Sequence, residues 1–129
     1  MNSAAIVVML TAGSREEAAR LAEMLVGSHL AACVQILPEM ESVYRWKGQV
    51  QREPEFLLLA KTTAACFDDL EREVRALHTY ETPEIVALPI TNVSAPYLEW
   101  LTNNAFPPLS SRQHGQDATS AQYGHEGRQ

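Results

Sequence analysis

Short unbroken apolar runs alternate along the chain with stretches in which apolar residues recur every three or four positions. Ile6-Val7-Val8-Met9-Leu10 is continuously apolar and rich in β-branched residues, the pattern of a strand buried on both faces. Thr11-Ala12-Gly13 breaks it. Ser14, with Glu17 three residues on, predicts a capping box in which each side chain satisfies an orphan N–H of the first helical turn. Ala18, Leu21, Ala22 and Leu25 then form one helical stripe, closed by Gly27 and Ser28. A second strand runs from about Leu30 to Leu37. Pro38, which cannot donate to a ladder, predicts that this strand lies at an edge or is bulged there. Val43-Tyr44-Arg45-Trp46 resumes an extended pattern, and Lys47-Gly48-Gln49 is a turn with Gly48 available for positive φ. Val50 leads into a third strand with the core Phe56-Leu57-Leu58-Leu59-Ala60, again read as buried on both faces.

Thr62 or Thr63 is expected to cap the next helix. Its stripe is Phe67, Leu70, Val74 and Leu77, and Asp68, Asp69, Glu71, Arg72, Glu73 and Arg75 fill the wet face. Ile85 to Ile90 is a fourth strand, with Pro89 again marking an edge. Ser94-Ala95-Pro96 opens a last short helix with Tyr97, Leu98, Trp100 and Leu101 as its apolar contacts. With right-handed crossovers, this order predicts an α+β, ferredoxin-like βαββαβ sandwich with an extended hairpin and a C-terminal helix. The first and third strands are central, and the second and fourth lie at the edges. The hairpin carries Tyr44 and Trp46 past the sheet. Either a symmetric oligomer covers it, or Trp46 folds back on the chain's own helices. From Asn103 onward aliphatic residues almost vanish. The chain therefore reads as one domain over residues 1–104 and a disordered tail over 105–129, with His114 and His125 as solvated tail residues.

Charge and composition then narrow the function. Lys+Arg 10 against Asp+Glu 16 gives a net charge of -6 in 129 residues, with no basic cluster, so nucleic acid is not an expected partner. No basic residue precedes Arg15, and the first apolar run is too short for a signal peptide or a span, so neither a membrane partner nor export is expected. Cys33 and Cys66 have no CxxC pairing and no nearby His; they read as two buried free thiols of a reduced, cytoplasmic compartment. Motifs of nucleophilic catalysis and glycine-rich phosphate cradles are missing. Thr11-Ala12-Gly13-Ser14 beside Arg15 is not the phosphate loop of a ferredoxin-like acylphosphatase. No enzymatic activity is expected.

The stretch His78-Thr79-Tyr80-Glu81-Thr82-Pro83-Glu84 concentrates the candidate chemistry. Thr82 precedes a proline and is biased to extended backbone. Glu81 and Glu84 then stand roughly 10 Å apart and cannot chelate one ion together without a turn. His78, at a helix C-terminus that favours cations, can join either of them. The alternative leaves His78 capping the helix through its carbonyls and Glu84 paired with a Lys or Arg.

Several runs, in order, resemble the CutA divalent-cation-tolerance family: Leu30-Ala31-Ala32-Cys33-Val34, Ser42-Val43-Tyr44-Arg45-Trp46-Lys47-Gly48, Lys61-Thr62, the His78 to Glu84 stretch, Leu88-Pro89-Ile90 and Tyr97-Leu98-Glu99-Trp100-Leu101. The resemblance covers about Ile6 to Asn103. It implies a ferredoxin-like subunit in a homotrimer, held by strand pairing through the long hairpin and similar to the trimeric PII signalling proteins. It also implies association with copper and other divalent metal ions and a role in tolerating them. His78 and Glu84 are the metal-binding residues it points to. Family members with a copper site place a Cys at the position of Leu10 and a second His at that of Leu77, so this chain lacks the thiolate that soft Cu(I) prefers. Tyr44, Trp46, Lys61 and Tyr80 are a second candidate set, an intersubunit cleft for a small anion or metabolite, with interface packing as the alternative. The competing reading of the whole protein is a PII-like metabolite sensor or assembly scaffold whose metal contacts are incidental.

Overall fold

The computed structural model describes residues 4–109. Its elements are β1 (Ala5–Ala12), α1 (Arg15–Gly27), β2 (Cys33–Ile36), β3 (Met40–Trp46), β4 (Gln49–Thr63), α2 (Phe67–Leu77), β5 (Ile85–Pro89) and α3 (Ala95–Asn104). The strands make one antiparallel sheet in the order β2-β4-β1-β5, and β3 prolongs the β2 edge along the outer part of β4. This is the expected ferredoxin-like sandwich. The unbroken apolar strands β1 and β4 are central, and the proline-marked segments lie outside. Among the described residues no helix is long and apolar enough to cross a membrane.

Pro38 acts as a bulge within an edge. The ladder runs to Ile36–Leu58 and restarts at Met40–Glu55, so residues 37–39 face only 56 and 57. One extra residue on the outer strand bends it and separates β2 from β3. At the far end of the hairpin both Lys47 (φ 52°) and Gly48 (φ 80°) lie in the left-handed region. That pair of conformations matches the right-handed twist of the strands it joins. A Cβ at residue 48 would meet nothing within 4 Å, so the penalty there is purely one of backbone. Gly48→Ala is expected to destabilise the protein by about 1 kcal/mol, read as a lower urea midpoint at unchanged slope.

Val8 and Leu10 of β1 and Leu58 and Ala60 of β4 close one core with Leu21 and Leu25 of α1 and Leu70 and Val74 of α2. The expectation of burial on both faces is not met within one chain. Val7, Met9, Leu57 and Leu59, the alternate residues, are only half-buried. Directly paired residues share a face, so Val7, Lys61 and Leu88 make one row of this second face and Met9, Leu59 and Val86 the next. Val86 and Leu88 are each 46% exposed. Right-handed crossovers put both crossing helices, α1 and α2, on the same side of the sheet; on the other side Tyr97 of α3 lies against Cys33 of β2, while Val86 and Leu88 stay exposed.

Smaller corrections follow from packing. Neither Thr62 nor Thr63 caps a helix through its side chain: the Thr62 hydroxyl donates to the Leu30 carbonyl (2.8 Å), that of Thr63 to Cys66 Sγ (3.4 Å), and a 3-10 turn, Ala64–Cys66, precedes α2. Asp69 and Glu71 are buried, whereas Leu77 is exposed. The buried face of α2 is thus rotated from the stripe that its leucines and valine marked, and Arg72 (2.6 Å) and Arg75 (3.9 Å) accompany the two carboxylates. Cys66 is buried, but Cys33 only half so. Burial pushes the Tyr97 phenol up, and the adjacent Cys33 thiol adds to this. Packing also continues past residue 104. Ala105 is buried, and the Phe106 ring stacks on His29 with centroids 4.5 Å apart. His114 and His125 lie outside the described residues.

Candidate functional site: a buried carboxylate and imidazole at the end of β1

β1 ends at Ala12, and Gly13 and Ser14 turn the chain into α1. Half of the capping box forms: the Glu17 N–H donates to Ser14 Oγ at 3.1 Å. The Glu17 side chain does not return to Ser14. It turns inward, 3% exposed. Its Oε1 accepts from the Gly13 N–H (3.3 Å), and its Oε2 from both the N–H (2.8 Å) and the hydroxyl (2.9 Å) of Thr79. Burial pushes this carboxyl up. The Thr79 N–H, the neighbouring His78 ring, the Thr79 hydroxyl and the Gly13 N–H together outweigh burial, and hold it below the ordinary value.

His78 ends α2, its N–H bonded to the Val74 carbonyl at 2.8 Å. Its side chain is fully buried beside Glu17, with Nδ1 3.3 Å from Oε2. Nε2 lies 2.7 Å from the Thr11 carbonyl, and Nδ1 accepts from the Tyr80 N–H at 3.0 Å. A carbonyl can only accept, so Nε2 carries the proton and Nδ1 supplies the lone pair. Tyr80, whose ring centroid is 4.7 Å from that of His78, donates its hydroxyl to Glu55 Oε2 at 2.9 Å. Glu55 is 1% exposed and sits on β4 just beyond the point where β1 stops pairing, at Ala12–Phe56. The hydroxyl passes so close to Gly13 that a Cβ there would lie 3.2 Å from it. Thr11, Gly13, Glu17 and Glu55 thus hold the start of the 78–84 loop, with both oxygens of Glu17 and both ring nitrogens of His78 engaged in holding it.

The structure brings His78 and Tyr80 together with two carboxylates that sequence reasoning gave no such role, Glu17 and Glu55. A signal for Glu17 was present. It stands four residues before Leu21, on the apolar face of its own helix, where a charge implies a buried partner. Glu84 is half-buried and immediately precedes β5, one step past the last β1–β5 pair, Leu10–Ile85. The other candidate set is dispersed. Tyr44 pairs with Gln51, Trp46 with Gln49, and Lys61 with Cys33 and Val7. From Gln49 to Lys61 is up to about 40 Å of strand. Trp46 stays at the hairpin tip under the Lys47 ammonium, 5.5 Å from its ring centroid, and Lys61 donates to Gln35 Oε1 at 2.7 Å. One chain does not gather Tyr44, Trp46, Lys61 and Tyr80 into a cleft.

The described residues of a single chain do not fit a bound metal ion. Among the described residues no group of three or more His, Cys, Asp and Glu side chains is arranged to hold one. The lone pair of His78 is already committed to the Tyr80 N–H, whereas a ligating imidazole needs a free one.

A family model described as CutA1 divalent ion tolerance protein matches residues 6–104. The divalent-cation tolerance protein CutA of Thermus thermophilus is 50% identical over 98 residues, covering 76% of this chain and 95% of that protein. The chloroplastic protein CutA of Arabidopsis thaliana is 48% identical over 99 residues, covering 77% of this chain and 54% of that longer protein. The solved structure of the Thermus thermophilus protein superposes with a TM-score of 0.78 at 48% identity, covering 79% of this chain and 99% of that one.

Proposed function

The chain belongs to the CutA1 divalent ion tolerance family, and on that premise we propose that it acts in divalent-cation tolerance as a homotrimer that binds, rather than transforms, its ligand. The observation that carries this reading is the apolar second face of the sheet, opposite α1 and α2. Val7, Met9, Leu57, Leu59, Val86 and Leu88 form a contiguous apolar face, opposite α1 and α2, whose residues stay half-buried or exposed in the single chain. Beyond it, the β3–β4 arm extends with Val43 55% and Val50 60% exposed. Among the described residues the outer part of β4 pairs with β3 alone, so one backbone edge of the arm stays open. Apolar faces and open edges of this kind are covered by further copies in stable assemblies.

A homotrimer also supplies what one chain does not. Tyr44, Trp46 and Lys61 can converge with Tyr80 only if different copies contribute them. Among the described residues the donor set of one chain does not fit copper, so on this reading cation binding falls to groups that neighbouring copies bring together, the Glu84 carboxylate of the loop among them. Light scattering on a size-exclusion column tests the assembly: a mass three times the 14.3 kDa chain is expected, and a monomer at micromolar concentration overturns the reading. Calorimetric titration of that species with Cu(II) and Zn(II) tests the ligand. A trimer that takes up neither ion favours the metabolite-sensing or scaffolding alternative.

A further inference from the structure

The His78 ring has two nitrogens, and the fold uses both. Nε2 meets the Thr11 carbonyl at 2.7 Å, and Nδ1 takes the Tyr80 N–H at 3.0 Å. The ring is fully buried and packs against the ring of Tyr80. A cation at Nδ1 would have to expel the Tyr80 N–H, and one at Nε2 would need the proton that bonds Thr11 removed. Neither exchange has prepared neighbours. The adjoining Leu77 offers no donor atom, and the nearest carboxylate, Glu17, already accepts the N–H and the hydroxyl of Thr79. A ligating imidazole normally gives one nitrogen to the metal and orients itself with the other. Here both nitrogens orient.

We propose that His78 is a positioning residue and not a metal ligand: it pins the backbone of Tyr80 to the end of β1 so that the Tyr80 hydroxyl reaches the buried carboxylate of Glu55. The chain of contacts is continuous, from the Thr11 carbonyl through the imidazole to the Tyr80 N–H, and from the Tyr80 hydroxyl to Glu55 Oε2 at 2.9 Å. Gly13 completes it, since any larger residue there would crowd the hydroxyl. This role goes beyond the cation-tolerance reading and stands whether or not that reading does.

The test uses the full-length protein, with Cu(II) and Zn(II) chlorides as probes and two variants. His78→Asn places an amide oxygen where Nδ1 stands, so it can still accept from Tyr80 but is a poor metal ligand. His78→Ala does neither. Calorimetry is expected to give the same stoichiometry, and dissociation constants within about twofold, for the wild type and His78→Asn, a ratio that corresponds to about 0.4 kcal/mol. Nuclear magnetic resonance of the Tyr80 amide is expected to show a large shift in His78→Ala and a position near wild type in His78→Asn. Loss of one metal equivalent, or tenfold weaker binding, in His78→Asn overturns the proposal, and so does an unmoved Tyr80 amide in His78→Ala. If His78→Ala fails to fold, His78→Asn alone decides the metal question. Absence of metal uptake by the wild type would remove cation binding from the proposed function while leaving the positioning role to the amide resonance.

Discussion

Glu17→Ala is expected to lower the stability of the folded protein by about 3 kcal/mol, among the largest effects of any single polar substitution in this chain. The carboxylate is buried and accepts from the Gly13 N–H, the Thr79 N–H and the Thr79 hydroxyl. Hydrogen bonds to a charged group each contribute roughly 1.5–3 kcal/mol, and removing the acceptor leaves its buried donors unsatisfied. Glu17→Gln separates charge from shape, because the amide keeps one acceptor oxygen and loses the charge. The folded pKa of Glu17 lies below the ordinary 4.5. Its contribution is therefore fully present above about that pH, and is lost as pH falls through the folded value, because the unfolded chain then binds the proton first. Urea unfolding at fixed protomer concentration, at neutral pH and again well below 4.5, reads this directly. The gap between wild type and Glu17→Gln should be wide at neutral pH and close in acid. A gap that does not change with pH would mean that the carboxylate is not charged in the folded protein.

Local chemistry in the sequence was enough for the architecture, because each element's instruction is carried by neighbours. Pro38 appears as a bulge, Gly48 as the positive-φ corner of the hairpin, and Ser94 as a cap whose Oγ accepts the Tyr97 N–H at 3.4 Å. The site was less legible for a physical reason. Glu17 meets Thr79 across 62 residues of sequence, and Glu55 meets Tyr80 across 25. A Ser-x-x-Glu pattern at a helix start is already satisfied by a local explanation, which hides the distant one. The misreading of β1 and β4 as buried on both faces is of another kind. An apolar run does not say which of its faces its own chain will cover: α1 and α2 bury one face of β1 and β4, and the alternate residues on the other stay half-buried. Tyr44, Trp46 and Lys61 are likewise strung along a 15-residue strand and its partner, and their spacing along the sequence does not show that one chain keeps them apart.

That discrepancy leads to a second large effect. Val86→Glu combined with Leu88→Glu is expected to convert the proposed homotrimer to monomers. Both side chains are 46% exposed in the single chain, so the substitutions disturb little of its own core. They lie on the second face of the sheet, Val86 in the row of Met9 and Leu59 and Leu88 in the row of Val7 and Lys61. If copies meet across this face, each would bring two carboxylates into an apolar interface, and burying an unpaired charge costs several kcal/mol. Light scattering should then show the mass fall to that of one 14.3 kDa chain. Val26→Glu is the control: this residue is also exposed, at 42%, but on α1, on the helical side of the sheet, and its substitution should leave the mass unchanged. The dissociated chain should also unfold at lower urea concentration than the wild type, since assembly stabilises the folded state by mass action and its loss removes that term. A double variant that kept the wild-type mass would move the interface off the sheet face and leave the β3–β4 arm as the sole basis for association.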